Sequence, residues 1–178
     1  KYSDALKSFV AASESPEAST ALAARKGTVL AALRVGESTV ARRAASILST
    51  HEADAEALTL SGDALWAAGF FDEADQDYAR ALVVDPRSGR ARYGIARSLS
   101  SRSRLTEALG EVERGLESSP GDSDLYAVRG TVLERLNRFE DAARAYDESA
   151  NLLPTREPAA IAIARNRATL LRSFARRP

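Results

Sequence analysis

Few residues in this chain have types and spacings suited to chemistry. The single histidine, His51, stands in the run His51-Glu52-Ala53-Asp54, where two carboxylates beside an imidazole are the donor types of a metal site. A polar connection between helices explains the same run more simply, because structural metal sites usually cluster His and Cys. No metal or other cofactor is therefore expected. Adjacent carboxylates at Asp72-Glu73 and Glu140-Asp141 have the form of acid–base pairs, but acids at a helix start are favoured by the helix dipole without any catalytic role. No GxxxxGK[ST], GxGxxG after a strand, HExxH or GxSxG is present, and no cysteine, so thiolate and disulfide chemistry are excluded and no catalysis is expected. What stands out instead is Arg90, Tyr93 and Arg97, set three and four residues apart and so on one face of a helix. A guanidinium pairs with carboxylates and a tyrosine offers flat amphipathic surface, which is binding chemistry.

The elements that must position these residues are helices. The chain has 178 residues, 44% hydrophobic and 28% charged but only 6% aromatic, with abundant Ala and few Val and Ile. Basic and acidic residues balance at 25 each, so whole-molecule attraction to nucleic acid or an anionic membrane is not expected. No apolar run approaches the roughly 18 residues of a membrane span, and the chain opens on Lys1 without a signal-like segment, so it reads as soluble. A start at Lys1 and the lack of any Met suggest a piece of a longer polypeptide. Arginine outnumbers lysine 22 to 3, a usage that fits a high-GC bacterial genome.

Self-similarity is written in the prolines. Pro86, Pro120 and Pro154 are 34 residues apart, each closing an amphipathic run. Twelve residues before each stands Ala74, Ala108 or Ala142, preceded by Asp72-Glu73, Thr106-Glu107 or Glu140-Asp141, expected to cap and charge the first turn of a helix. Turns are expected at Ala68-Gly69, Arg102-Ser103 and Leu136-Asn137-Arg138. Upstream lie Gly62, Ala96 and Gly130, small residues expected to face the alanines across a close helix crossing, with Leu65, Leu99 and Leu133 three residues on. Each unit is helix, turn, helix.

This pattern resembles the tetratricopeptide repeat, a 34-residue pair of antiparallel helices. The unit 55–88 carries Leu58, Gly62, Leu65, Gly69, Phe71, Ala74, Tyr78, Ala81 and Pro86, and 123–156 carries Tyr126, Gly130, Leu133, Asn137, Phe139, Ala142, Tyr146 and Pro154. The unit 89–122 is looser, with Ala96, Val112 and Gly115. Residues 20–54 read as a degenerate 35-residue unit with Gly27, a turn at Val35-Gly36 and one residue inserted in that turn; 1–19 read as the second helix of a further repeat, and 157–178 as a C-terminal capping helix. The expected fold is all-α, an α-solenoid of antiparallel hairpins wound as a right-handed superhelix.

The resemblance implies that first helices line a groove that binds extended peptides. Carried over by position, the groove stripe comprises Glu56, Thr59, Asp63, Trp66, Arg90, Tyr93, Arg97, Thr131, Glu134, Arg135 and Arg165, with Thr28 and Asp124 beside them. The positions of the family's carboxylate clamp hold Ala24, Thr28, Leu60, Arg90 and Gly94, of which only Arg90 suits it. The arginines Arg165, Arg167, Arg172, Arg176 and Arg177 read as a helix C-terminus favoured by the dipole ahead of an acidic-partner or nucleic-acid site. The function implied is a protein-interaction scaffold that binds a protein or peptide segment, without catalysis of its own. The alternative is an accessory or assembly domain of a larger enzyme, and self-association through the terminal helices is a third possibility.

Overall fold

The computed structural model describes residues 2–51, 54–155 and 157–175. Among them are ten α-helices and no strand: α1 Tyr2–Ala12, α2 Ala18–Val35, α3 Ser38–Leu48, α4 Ala55–Ala67, α5 Phe71–Val84, α6 Gly89–Ser101, α7 Leu105–Ser118, α8 Ser123–Arg135, α9 Phe139–Leu152 and α10 Pro158–Ala175. They form two compact units, one ending at Pro86 and the other beginning at Arg87. In the first, α1 to α5 pack in chain order and α2 also touches α4; in the second, α6 to α10 pack in chain order and α6 also touches α8.

Why the hairpins begin and turn where they do is visible in the backbone. Asp54, Ser88 and Asp122, themselves 34 apart, are the residues before α4, α6 and α8, and their side chains accept from the first free amides: Ala57 N–H at 2.9 Å, Ala91 N–H at 3.3 Å, and Asp124 and Leu125 N–H at 2.9 and 3.1 Å. The capping signal therefore lies on the first helix of each hairpin. The acids expected to cap the second helices do not: α5, α7 and α9 start after Phe70, Arg104 and Arg138, none of which makes a side-chain cap. Glu107 and Asp141 sit in the first turn, where the helix dipole favours their charge, and accept hydrogen bonds from the Arg104 and Arg138 guanidinium groups, paired at 2.5 and 2.7 Å, rather than from free amides.

The turns carry a left-handed residue at Gly36 (φ 80°), Gly69 (86°), Ser103 (61°) and Asn137 (59°). Glycine adopts this conformation freely, whereas Ser103 bears the steric cost of a Cβ. The turn after α2 holds two residues against three in the other hairpins, so no residue is inserted there. The frame shifts instead because α2 runs 18 residues against 13 for α4, α6 and α8.

The expected facing of small residues is also corrected. A Cβ on Gly62 would meet the Tyr78 ring at 2.6 Å and one on Gly130 the Tyr146 ring at 2.9 Å, so each glycine makes room for an aromatic sixteen residues later, while Ala74, Ala108 and Ala142 are separately buried. In 89–122 a methyl replaces the hydrogen and a smaller side chain replaces the ring, as Ala96 and Val112, both fully buried. At Gly27 the ring comes from Phe9 on α1, at 2.6 Å. Helix α1 itself buries no residue fully.

Candidate functional site

The first unit engages its share of the groove stripe internally. Glu56 is exposed and accepts from Lys26 Nζ at 2.6 Å, linking α4 to α2, and Asp54 joins the same ammonium at 2.8 Å. Burial alone would lower the Lys26 pKa, but hydrogen bonds to Asp54 and Glu56 raise it. For Asp54, burial works upward and is outweighed by the Lys26 and Ala57 hydrogen bonds, which hold the carboxyl below the ordinary range. That places the Asp54 carboxylate in a cap and an ion pair; Glu52 lies outside the described residues. Thr59 and Asp63 are 3% and 5% exposed. Thr59 Oγ1 donates to the Ala55 carbonyl one turn back in α4, and Asp63 accepts from the Tyr78 hydroxyl at 2.7 Å, which ties α4 to α5. Thr28 is buried in the same way, donating to the Ala24 carbonyl. Trp66 is half-buried and meets Phe71 edge-on at 4.6 Å.

In the second unit the α6 stripe forms a cluster. Arg90 and Arg97 flank the Tyr93 ring, 4.9 and 5.2 Å from its centroid. Arg90 also reaches Asp124 on α8 at 3.0 Å, an exposed pair that links this cluster to a groove formed by α8, α9 and α10. The volume of that groove is about 740 Å³. It is walled by Asp124 and Ala127 of α8 on one side and Ile163, Ala164 and Leu170 of α10 on the other, with Tyr146 of α9 between them.

The polar fittings sit at the groove's ends. Arg167 grips both oxygens of Glu134, with Nε–Oε2 at 2.9 Å, and the Glu134 hydrogen bond holds its guanidinium more firmly protonated than usual. The Tyr146 hydroxyl is shared with Thr131 at 3.1 Å; burial, with the nearby Glu134 charge, raises its pKa against the opposing Thr131 bond and Arg167. Arg135 turns away from the groove, its guanidinium donating to the Ser100 carbonyl and to Ser103 Oγ at 3.0 Å, which ties α8 to the end of α6. Arg165 is exposed. Among the other C-terminal arginines, Arg172 pairs with Asp147, and Arg176 and Arg177 lie outside the described residues. Of the clamp positions, Ala24, Thr28, Leu60 and Gly94 are buried and only Arg90 projects.

Tyr146, Ile163, Leu170 and Glu157 fall outside the positional stripe. Their signal is a second apolar face on α10: Ala160, Ile163, Leu170 and Phe174 recur at helical spacing beside the stripe of Ala164, Ala168 and Leu171 that packs on α9. A helix that only caps needs one such face.

Hairpins repeating at 34 residues, with small-residue crossings and a groove between first-type helices, define a helical repeat protein. A tetratricopeptide-repeat family model matches residues 59–123. A thermophilic TPR protein of Thermus thermophilus superposes with a TM-score of 0.79 at 15% identity, over 95% of this chain and 91% of that one. MamA from Desulfovibrio magneticus RS-1, residue 41 to its end, gives 0.58 at 20% identity over 87% and 95%, and the Arabidopsis OM64 TPR domain 0.56 at 18% over 64% and 93%. At these identities the likeness is one of fold. Residues 59–123 thus match the tetratricopeptide repeat, and the chain shares the fold of the tetratricopeptide-repeat proteins above. Among the described residues no helix is long and apolar enough to cross a membrane.

Proposed function

We propose that this chain is a protein-interaction scaffold that holds a segment of a partner protein in the α8–α9–α10 groove and against the adjoining Arg90–Tyr93–Arg97 cluster, without catalysis of its own. The observation that carries this reading is the groove itself, open and apolar, with Ile163 and Leu170 at 71% and 43% exposure on one wall. Large apolar side chains exposed together mark interaction surfaces. Charged groups at its ends add orientation, and the arginine-flanked tyrosine is of the residue types that dominate binding energy.

The test is selection of peptides from a displayed random library on the whole chain, followed by fluorescence anisotropy with the wild type and with Leu170→Asp. Leu170 is exposed enough for the fold to survive, which circular dichroism checks. A loss of about tenfold or more in affinity is expected, the scale of a hot-spot contact. Selected peptides that bind Leu170→Asp as tightly as the wild type would remove the groove from the function.

A further inference from the structure

The terminal helix continues the repeat frame but not its packing. Ala164 follows Gly130 by 34 residues and is buried at the α9 crossing as a first-helix small residue should be. Neighbouring first-type helices touch within each unit, α2 with α4 and α6 with α8, yet α10 makes no contact of that extent with α8. The groove of about 740 Å³ is the space this stand-off leaves. It is bridged on one side by Arg167 and Glu134.

Two parallel helical walls over a helical floor make a trough, and the occupant suited to a trough is another helix, laying an i, i+3, i+4, i+7 face into it. Ile163 and Leu170, two turns apart on α10, are the complementary ridge. The charge of the trough is uneven. Arg167 is already engaged by both oxygens of Glu134. At the opposite end lie Asp124, held by the exposed Arg90, and Glu157, whose carboxylate has no hydrogen bond or ion pair among the described residues. Both acids stand at helix N-termini, where the dipole favours negative charge.

Resting on the scaffold reading above, we infer that the groove takes an amphipathic helix of a partner protein, with an apolar Leu/Ile-type face and a Lys or Arg at the end that meets Glu157 and Asp124. The basic end fixes direction and register, because an exposed charge pair adds little affinity but a reversed one repels.

Two synthetic helical peptides of about fourteen residues, long enough for four turns, test it. They share one leucine pattern at i, i+3, i+4 and i+7 and are flanked at both ends by Lys in one and by Glu in the other. Binding is read by anisotropy at low salt to the whole wild-type chain, to Glu157→Lys and to Ile163→Asp. The Lys peptide is expected to bind the wild type about fivefold tighter than the Glu peptide, the scale of exposed charge pairs. Glu157→Lys should abolish or invert that preference, and Ile163→Asp should weaken both peptides about tenfold or more with an unchanged circular dichroism spectrum. Equal binding of the two peptides, or a preference that survives Glu157→Lys, overturns the inference. So does a wild type that is dimeric by light scattering and becomes monomeric as Ile163→Asp, since the occupant is then a second copy. Library peptides lost on Leu170→Asp but lacking the basic end would sink this inference alone; insensitivity of all peptides to Leu170→Asp would sink the scaffold reading with it.

Discussion

Replacing Gly62 and Gly130 by alanine, one at a time, separates two crossings that look alike in sequence. Both glycines lie mid-helix at the same repeat position, and each carries a tyrosine ring from sixteen residues on. A methyl at Gly62 would sit 2.6, 2.8 and 3.0 Å from Tyr78 ring atoms. Tyr78 is fully buried and its hydroxyl is anchored on the buried Asp63 at 2.7 Å, so the ring has nowhere to go. Overpacking of this kind costs about 1–3 kcal/mol. The gain in helix propensity from glycine to alanine offsets about 1 kcal/mol, leaving a net loss of about 1 kcal/mol. A methyl at Gly130 meets the Tyr146 ring at 2.9–3.0 Å, but Tyr146 is only half-buried and borders the open groove, into which it can retreat. There the two terms roughly cancel. Urea unfolding by far-UV circular dichroism reads the difference, with hydrogen exchange of α4–α5 and α8–α9 amides locating it. Gly62→Ala should lower the unfolding midpoint and Gly130→Ala leave it near wild type. A Gly130→Ala loss equal to or larger than that of Gly62→Ala would refute the argument that the freedom of the ring decides the cost.

Acid should weaken the first unit through Asp54. Its folded pKa lies below the ordinary carboxylate value, so its contribution is present above that value and is lost as pH falls through the lowered one. Lys26, raised, contributes below its ordinary value and loses that contribution only in strong alkali. Urea midpoints of Asp54→Asn should therefore fall less steeply over the acid range than those of the wild type; parallel curves would show that the staple carries no pH dependence. Ser103→Gly should stabilise the second unit by about 1 kcal/mol, since glycine meets the left-handed turn without the cost of a Cβ, less the exposed bond from Arg135 to Ser103 Oγ. A lower urea midpoint for Ser103→Gly would mean that the Arg135 tie outweighs the backbone strain.

Proline and alanine made the repeat legible because they are punctuation: Pro86, Pro120 and Pro154 break helices wherever they stand, so their spacing reports the fold without knowledge of what packs on what. The caps Asp54, Ser88 and Asp122 carry the same 34-residue period, but acids are common along the chain and only the backbone shows which ones face a free amide. Position in the repeat tells less about the groove. It assigns a direction to Thr59, Asp63 and Arg97 alike, whereas whether a side chain reaches solvent depends on its neighbours, and Tyr78 binds Asp63 into the hairpin. The α8–α10 trough lies beyond any reading of period, because it exists only through a missing contact. Ala164 keeps the frame and predicts close packing, while Ile163 and Leu170 on the adjacent face keep α10 rich in apolar surface that the described residues of the second unit leave exposed. A capping helix under selection for solubility alone would carry polar residues at those two positions. Their presence beside Glu157 is the physical reason to look for a partner there, and it makes Ile163→Asp a change expected to improve solubility while it removes binding.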